Sequence, residues 1–211
     1  MKIAAISDIH GQLPTYDMIP ECDALLIAGD ICGGGPAQMQ NHWLDTAFRS
    51  WLADLSMPVF GVAGNHDWPF YEMPDEVPQD LNWTYLEDDF AEFSGLKIYG
   101  TPWQKEFYDW AFNLPESQLS LKWDMIPEDT DILITHGPPQ YFGDLVARGT
   151  HEGSPSLLKR IVHIKPKLVV FGHIHPGRGV YEHQDVTLAN VTMVNERYKM
   201  VYEPLVFEVD V

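Results

Sequence analysis

The chain has 211 residues, 45% of them hydrophobic, which is enough for one domain to bury a full core and would leave a second domain cramped. Its 31 acidic against 13 basic residues give a formal net charge of −18, a field that repels long nucleic acids and anionic membrane surfaces and favours small or cationic partners. Cys22 and Cys32 are too few for a disulfide framework and form no C-x-x-C pair, so they read as small buried hydrophobes; the opening MKIAAISDIHG holds neither a signal-peptide core nor a membrane span, and the expected compartment is the cytoplasm.

In chain order, KIAAIS over residues 2–7 is a short unbroken apolar run, the pattern of a strand buried on both faces, and it stops at Asp8 and His10. ALLIA over 24–28 stops in the same way at Asp30. The segment from Ala37 to Leu55 sets Leu44, Phe48, Trp51, Leu52 and Leu55 on one face of an amphipathic helix that packs on a sheet. VFGVA over 59–63 delivers Asn65, His66 and Asp67, and ILIT over 132–135 delivers His136. Ser154 caps a helix over PSLLKRIVHI, with Pro155 in its first turn, a buried stripe of Leu157, Leu158, Ile161 and Val162, and Pro166 beyond its end. LVVF over 168–171 then leads to His173 and His175, while shorter stretches near 96–100, 178–190 and 205–209 read as antiparallel strands. With no internal repeat, low-complexity tract or Gly/Ser linker, the whole of 1–211 reads as a single α/β layered domain built on mixed sheets.

Five strands thus end on the signatures D-x-H, G-D, G-N-H-D, H-G and G-H-x-H. Functional groups in open α/β folds gather beyond the carboxyl ends of strands, so these clusters are expected to converge on one rim. Without a counter-ion such a gathering of carboxylates and imidazoles is costly, which points to metal. Donors of the Asp, Asn and His type with no thiolate suit manganese, iron or zinc, with nickel or cobalt as further divalent candidates. Seven candidates, Asp8, His10, Asp30, Asn65, His136, His173 and His175, exceed the needs of one four- to six-coordinate ion, so two metals with a bridging carboxylate are expected.

The five blocks in this order, spanning residues 8–175, resemble the signature of the calcineurin-like metallophosphoesterase superfamily. YGTPWQKEFYDWAFNLP, DILITHGPP and PKLVVFGHIHPGRG are similar to its metallophosphoesterase-domain-containing subfamily of phosphodiesterases. The resemblance implies an α/β/β/α sandwich of two mixed sheets flanked by helices. It also implies one metal held by Asp8, His10, Asp30 and His175, a second held by Asp30, Asn65, His136 and His173, and Asp30 as the bridge. A metal-bridging water then attacks phosphorus as hydroxide, and His66 protonates the leaving oxygen or stabilises its charge. Asp67 stands where the family places an acidic residue, and orienting the loop through backbone hydrogen bonds is its expected role. The implied activity is hydrolysis of a small phosphodiester, with cyclic nucleotides foremost; a phosphomonoesterase with the same site and a non-catalytic interaction scaffold of the same fold are the alternatives. The Asp-Arg-Gly associated with Ser/Thr protein phosphatases is absent after the G-D block, which argues against a phosphoprotein substrate.

Residues outside the blocks divide between ordinary and functional readings. His42, His163 and His183 read as structural or solvated, and His151, in a loop after THGPP, as structural unless that loop reaches the rim. Gly33, Gly34 and Gly35 lack the Lys-Ser/Thr of a phosphate-binding loop and read as a sharp turn. Trp103, Phe107, Tyr108, Trp110 and Phe112 form an aromatic run expected mostly in the core, with Trp103 the member that walls the pocket or stacks a nucleobase. Arg178, just past GHIH, is a candidate partner for a phosphate oxygen or else a surface arginine, and Trp68 and Tyr71 beside GNHD are equally open.

Overall fold

The computed structural model describes residues 1–211. Thirteen strands are laid out in chain order as β1 (Lys2–Ile6), β2 (Ala24–Ala28), β3 (Val59–Val62), β4 (Thr84–Tyr85), β5 (Asp89–Phe93), β6 (Leu96–Thr101), β7 (Gln104–Lys105), β8 (Asn113–Leu114), β9 (Ile132–Thr135), β10 (Leu168–Phe171), β11 (Gly179–His183), β12 (Val186–Asn190) and β13 (Leu205–Glu208). The helices are α1 (Ala37–Trp43), α2 (Arg49–Ala53), α3 (Trp68–Glu72), α4 (Glu116–Asp124) and α5 (Pro155–Ile164).

One sheet runs β13-β1-β2-β3-β4, parallel except for β13, and the second runs β11-β12-β10-β9-β6-β5, parallel except for its two edge strands; β7 and β8 form a separate ribbon. The two sheets face each other across Ile3, Ala5, Leu26 and Val62 on one side and Ile98, Ile132, Ile134, Leu168 and Val170 on the other. Alternate residues of the same strands point outwards: Ala4, Ile6, Leu25 and Ile27 meet Leu44, Phe48, Trp51 and Leu52, while Leu133, Val169 and Phe171 meet Leu119 and Trp123 of α4 and Leu157 and Ile161 of α5. A strand covered on both faces has no solvated side to mark with polar residues, which is why these strands read as continuous apolar runs. The result is the α/β/β/α sandwich of two mixed sheets that the resemblance implies.

Three local differences from the sequence reading have physical causes. The helix expected over 37–55 is broken into α1 and α2 by a π-helical stretch at Leu44–Phe48, which re-aims the apolar stripe so that Phe48 stacks between Trp43 and Trp51. The strands near 96–100 and 186–190 are antiparallel to their hairpin partners β5 and β11 but parallel to β9 and β10 on their other sides, since each passes from the edge of the sheet into its parallel centre. Cys32 is buried, whereas Cys22 is only partly so.

Candidate metal centre

Strands β1, β2, β3, β9 and β10 are parallel and adjacent within their sheets, so their carboxyl ends open on the same side. Asp8, His10, Asp30 and His173 adopt left-handed backbone with φ of 53°, 44°, 52° and 65°. Each such residue stores roughly 1–3 kcal/mol of local strain, held in place by the packed strands behind it. Close approach is the second device. A Cβ on Gly172 would stand 2.0 Å from Asp8 Oδ2, and one on Gly64 would stand 2.3 Å from Asp30 Oδ1, so the glycines before His173 and Asn65 are the space into which the two carboxylates fit.

The donors fall into two halves that share Asp30. In the inner half, His136 Nε2 lies 3.0 Å from Asn65 Oδ1 and 3.3 Å from Asp30 Oδ1, and the ring of His173 packs edge-on against His136 at 5.1 Å. In the outer half, His10 Nε2 lies 3.4 Å from His175 Nε2 and 3.7 Å from Asp30 Oδ2, and His175 Nε2 lies 3.4 Å from Asp8 Oδ1. Asp8 is held from behind by the Ser7 hydroxyl at 2.5 Å and by the His173 backbone N–H at 3.1 Å.

These spacings test whether the residues fit metal. A cation with bonds of about 2.1 Å separates neighbouring donors by about 3.0 Å in an octahedron and about 3.4 Å in a tetrahedron. Separations of 3.0, 3.3 and 3.4 Å fall on those edges, and the 3.7 Å between His10 and Asp30 lies just beyond them. His136 Nδ1 faces the Ala28 carbonyl at 2.8 Å, which fixes the tautomer and leaves Nε2 as the ligand atom. The seven candidates are therefore brought to one place, and Asp8, His10, Asp30, His136 and His175 fall into groups close enough to hold a metal ion.

The titration behaviour without a cation reflects the same crowding. Burial pulls the His136 imidazole down, but Asp30, by charge and hydrogen bond, more than reverses this and holds it at about 9. Burial and the neighbouring His136 push His173 down to about 3. Burial works to raise Asp8, yet the hydrogen bond and charge of His175 bring it down to about 2. The ionised Asp8 and neutral His173 are the states that metal binding requires, whereas His136 must give up a proton that Asp30 holds on it.

His66 stands beside this cluster. Its backbone N–H donates to Asp30 Oδ1 at 2.8 Å and its carbonyl accepts from Gln40 Nε2 at 2.9 Å, while its ring Nε2 is 4.0 Å from Asp30 Oδ2. Asp67 is buried and turned away from the cleft, accepting backbone N–H groups from Gly64 and Cys32 at 2.7 Å and from Ile31 at 3.1 Å. Burial and the nearby Asp30 charge raise it to about 6 against those three donors. Asp67 therefore ties the loop after β2 to the loop after β3 through these backbone bonds and is absent from the cleft wall, so it takes no place among the reacting groups.

A cleft of about 470 Å³ opens over Asp30, Asn65, His66, His173 and His175. Trp103 is on its wall, with its indole N–H donating to Asp88 at 3.0 Å and Lys122 Nζ lying 4.4 Å from its ring. Arg178 is not. Its guanidinium donates to the carbonyls of Thr192 at 2.5 Å and Glu203 at 2.6 Å and covers the Tyr202 ring, so it clamps the chain leading to β13 and points away from the cleft. His151 pairs with Asp144 at 2.6 Å, and His42 and His163 are exposed.

The aromatic run divides differently from expectation. Phe112 is buried, but Phe107 and Tyr108 are exposed because Asn113 Nδ2 binds both of their carbonyls and holds the loop outward. Trp110 turns into the cleft against His66, with ring centroids 4.2 Å apart. Tyr198 lies edge-on to His10 and His175 at 4.8 and 5.1 Å, and nothing in ERYK marks it in the sequence. Gln40 was hidden as one polar residue on the buried side of a helix, and it binds Gly33, His66 and Trp68 together.

The comparisons agree with the geometry. The family model for calcineurin-like phosphoesterases matches residues 1–177. Human metallophosphoesterase domain-containing protein 1 is 35% identical over 236 aligned residues, covering 98% of this chain and 70% of its own length. A protein of Synechococcus sp. named as a probable cyclic nucleotide phosphodiesterase is 29% identical, over 85% of this chain and 77% of its own length. Among solved structures, TT1561 of Thermus thermophilus shares the fold with a TM-score of 0.62 at 18% identity, over 90% of this chain and 88% of that one. With its strand-end donors gathered, the family model matched over residues 1–177 and a 35% identical relative aligned over 98% of the chain, it belongs to the calcineurin-like phosphoesterase family and is similar there to the metallophosphoesterase domain-containing proteins.

Proposed function

We propose that the protein is a dinuclear metal-dependent phosphodiesterase acting on a small phosphate ester, with a cyclic nucleotide as the foremost substrate class and manganese as the foremost metal. The observation that carries this reading is the position of Asp30 between two sets of donors, 3.3 Å from His136 and 3.7 Å from His10, beside an imidazole, His66, that belongs to neither set by the family pattern. When bound, a pair of divalent cations supplies a nucleophile from water near neutral pH and neutralises charge on the phosphate oxygens. The chain's own residues do the rest. Asp8, His10 and His175 hold the outer side and Asn65, His136 and His173 the inner side. Asp67 fixes the loops that carry Asp30 and His66.

His66 faces the cleft and makes no hydrogen bond of its own through the ring, so its proton is free to pass to a leaving oxygen. The aromatic wall at Trp103 suits a flat group stacked beside the phosphate, and the Synechococcus relative's name supports a cyclic nucleotide. The net charge of −18 favours a small substrate over long nucleic acid.

The test is metal content and turnover of 2′,3′- and 3′,5′-cyclic nucleotides, bis(4-nitrophenyl) phosphate and 4-nitrophenyl phosphate, with and without chelator. The expected result is about two ions per chain, turnover lost on chelation and diesters preferred. His66→Asn should keep its metal and lose about 10²-fold or more in kcat. Metal-loaded protein with no turnover on any of these esters would leave the scaffold alternative standing, and a preference for the monoester would move the assignment to a phosphatase.

A further inference from the structure

His66 presents an unusual positioning problem. Its ring makes no hydrogen bond, and Asp30 Oδ2 is 4.0 Å from Nε2, too far to orient it. What surrounds the imidazole instead is aromatic: His10 edge-on at 4.7 Å with the planes 87° apart, and Trp110 at 4.2 Å with the planes only 34° apart. The indole therefore covers one face of the imidazole. Trp110 is itself backed by Trp68 at 6.2 Å and 35°. Its loop is pinned by Gln104 Nε2 on the Ala111 carbonyl at 2.8 Å and by Asn113 on the carbonyls of Phe107 and Tyr108.

We infer that Trp110 is a positioning residue for His66: the indole holds the imidazole in one orientation over the shared carboxylate, where its nitrogen meets the oxygen that departs from phosphorus. The inference rests on the reading of His66 as proton donor. It deepens that reading by naming what aims the donor, since a ring held only by stacking swings freely once the stacking partner is removed. A proton misplaced by about 1 Å costs rate without costing substrate affinity.

The balance of the step defines the test. The nucleophile's oxygen bonds to phosphorus, the bond from phosphorus to the leaving oxygen breaks with its electron pair, and His66 supplies the proton that oxygen needs. A 4-nitrophenolate departs readily without that proton, whereas a phenolate does so poorly. Phenyl methyl phosphate and 4-nitrophenyl methyl phosphate, which share the remainder of the diester, thus separate donor aim from everything else.

Trp110→Ala is expected to lower kcat about ten-fold or more on phenyl methyl phosphate and less than about three-fold on 4-nitrophenyl methyl phosphate, with KM nearly unchanged. Trp110→Phe, which restores an aromatic face, should recover most of the loss. His66→Asn should show the same dependence on leaving group with a larger loss, and the double variant should be no slower than His66→Asn alone. In the chelated protein, the His66 ring-proton resonances, assigned by their absence from His66→Asn, should move downfield in Trp110→Ala as the shielding indole face is removed.

Equal losses on both esters with a raised KM would make Trp110 a substrate wall and overturn the inference. So would an active parent with a slow His66→Asn variant and an unaffected Trp110→Ala, or His66 resonances that do not move. A parent without metal-dependent turnover, or a His66→Asn variant as fast as the parent, overturns the reading of the site itself and the positioning role with it.

Discussion

The inner and outer halves of the metal centre use the same chemistry under different constraints. Inner residues Asn65 and His136 are 3% and 0% exposed, and His136 is fixed from behind by the Ala28 carbonyl. Outer residues His10 and His175 lie nearer the surface, and the visible cover over them is Tyr198, from a loop far along the chain. The contrast is between side chains more than between whole halves, since outer Asp8 is as buried as His136 while His10 lies towards the rim. Removing the buried His136 should cost folding stability, and removing His10 mainly metal affinity.

The largest effect comes from splitting the pair. His136→Ala leaves a cavity and strips the partner from Asn65 and from the Ala28 carbonyl, so in chelator it should lower unfolding free energy by about 2–4 kcal/mol. His10→Ala removes a ring whose place water can take, and should cost less than about 1 kcal/mol. Both variants should lose metal, measured as ions retained per chain after dialysis. Equal destabilisation of the two in urea would remove the distinction between the halves.

The same division should appear in the pH dependence of the metal-free protein. His136 is raised from 6.5 to about 9, so its contribution to stability is full below pH 6.5 and lost as the pH rises through about 9. Asp8 is lowered from 3.8 to about 2, so its contribution is present above pH 3.8 and lost as the pH falls through about 2. Asp67, raised to about 6, adds a separate decline between pH 3.8 and about 6, complete before the His136 window opens. The alkaline loss therefore belongs to His136, while the acid limb is shared, since His173, pushed down from 6.5 to about 3, also loses its contribution as the pH falls through that range. The His136 and Asp8 contributions are each worth roughly 2–4 kcal/mol by linkage. Urea unfolding in chelator at pH 6.5 and 9.5 should show the alkaline loss in the parent and its absence in His136→Ala. Because the proton on His136 competes with a cation, metal affinity should climb over the same window. Stability flat from pH 6.5 to 9.5 would mean that Asp30 does not hold that proton.

The two halves were equally legible in the sequence, for a reason that also explains what was not. Each donor directly follows a strand buried on both faces, and such a strand announces itself as an unbroken apolar run with a polar stop. Trp110 and Tyr198 follow no such rule. They reach the cleft because loops distant in the chain fold over the rim, Trp110 held there by Gln104 and Asn113, and no local spacing encodes that approach. Asp67 was legible as a loop-orienting residue, though not the identity of the three amides it binds. The helix through Leu44–Phe48 kept its apolar face in sequence while changing its winding, and composition alone does not distinguish the two.

Arg178 gives the smallest and sharpest prediction. Its position three residues after His175 suggests a phosphate ligand, but a sequence interval does not fix the direction of a long side chain, and here the guanidinium runs to Thr192 and Glu203. The clamped chain carries Tyr198 between those two anchors, so Arg178 supports the outer half only through the loop it fastens. Arg178→Ala should lower the melting temperature by roughly 3–6 °C, the equivalent of about 1–2 kcal/mol for two lost carbonyl contacts in a chain of this size. KM for bis(4-nitrophenyl) phosphate should stay within about two-fold of the parent, since the residue has no place on the cleft wall. A ten-fold rise in KM with an unchanged melting temperature would show that the guanidinium leaves its clamp to meet substrate; a fall in melting temperature with KM unchanged leaves the outer half resting on Tyr198 and its own three donors.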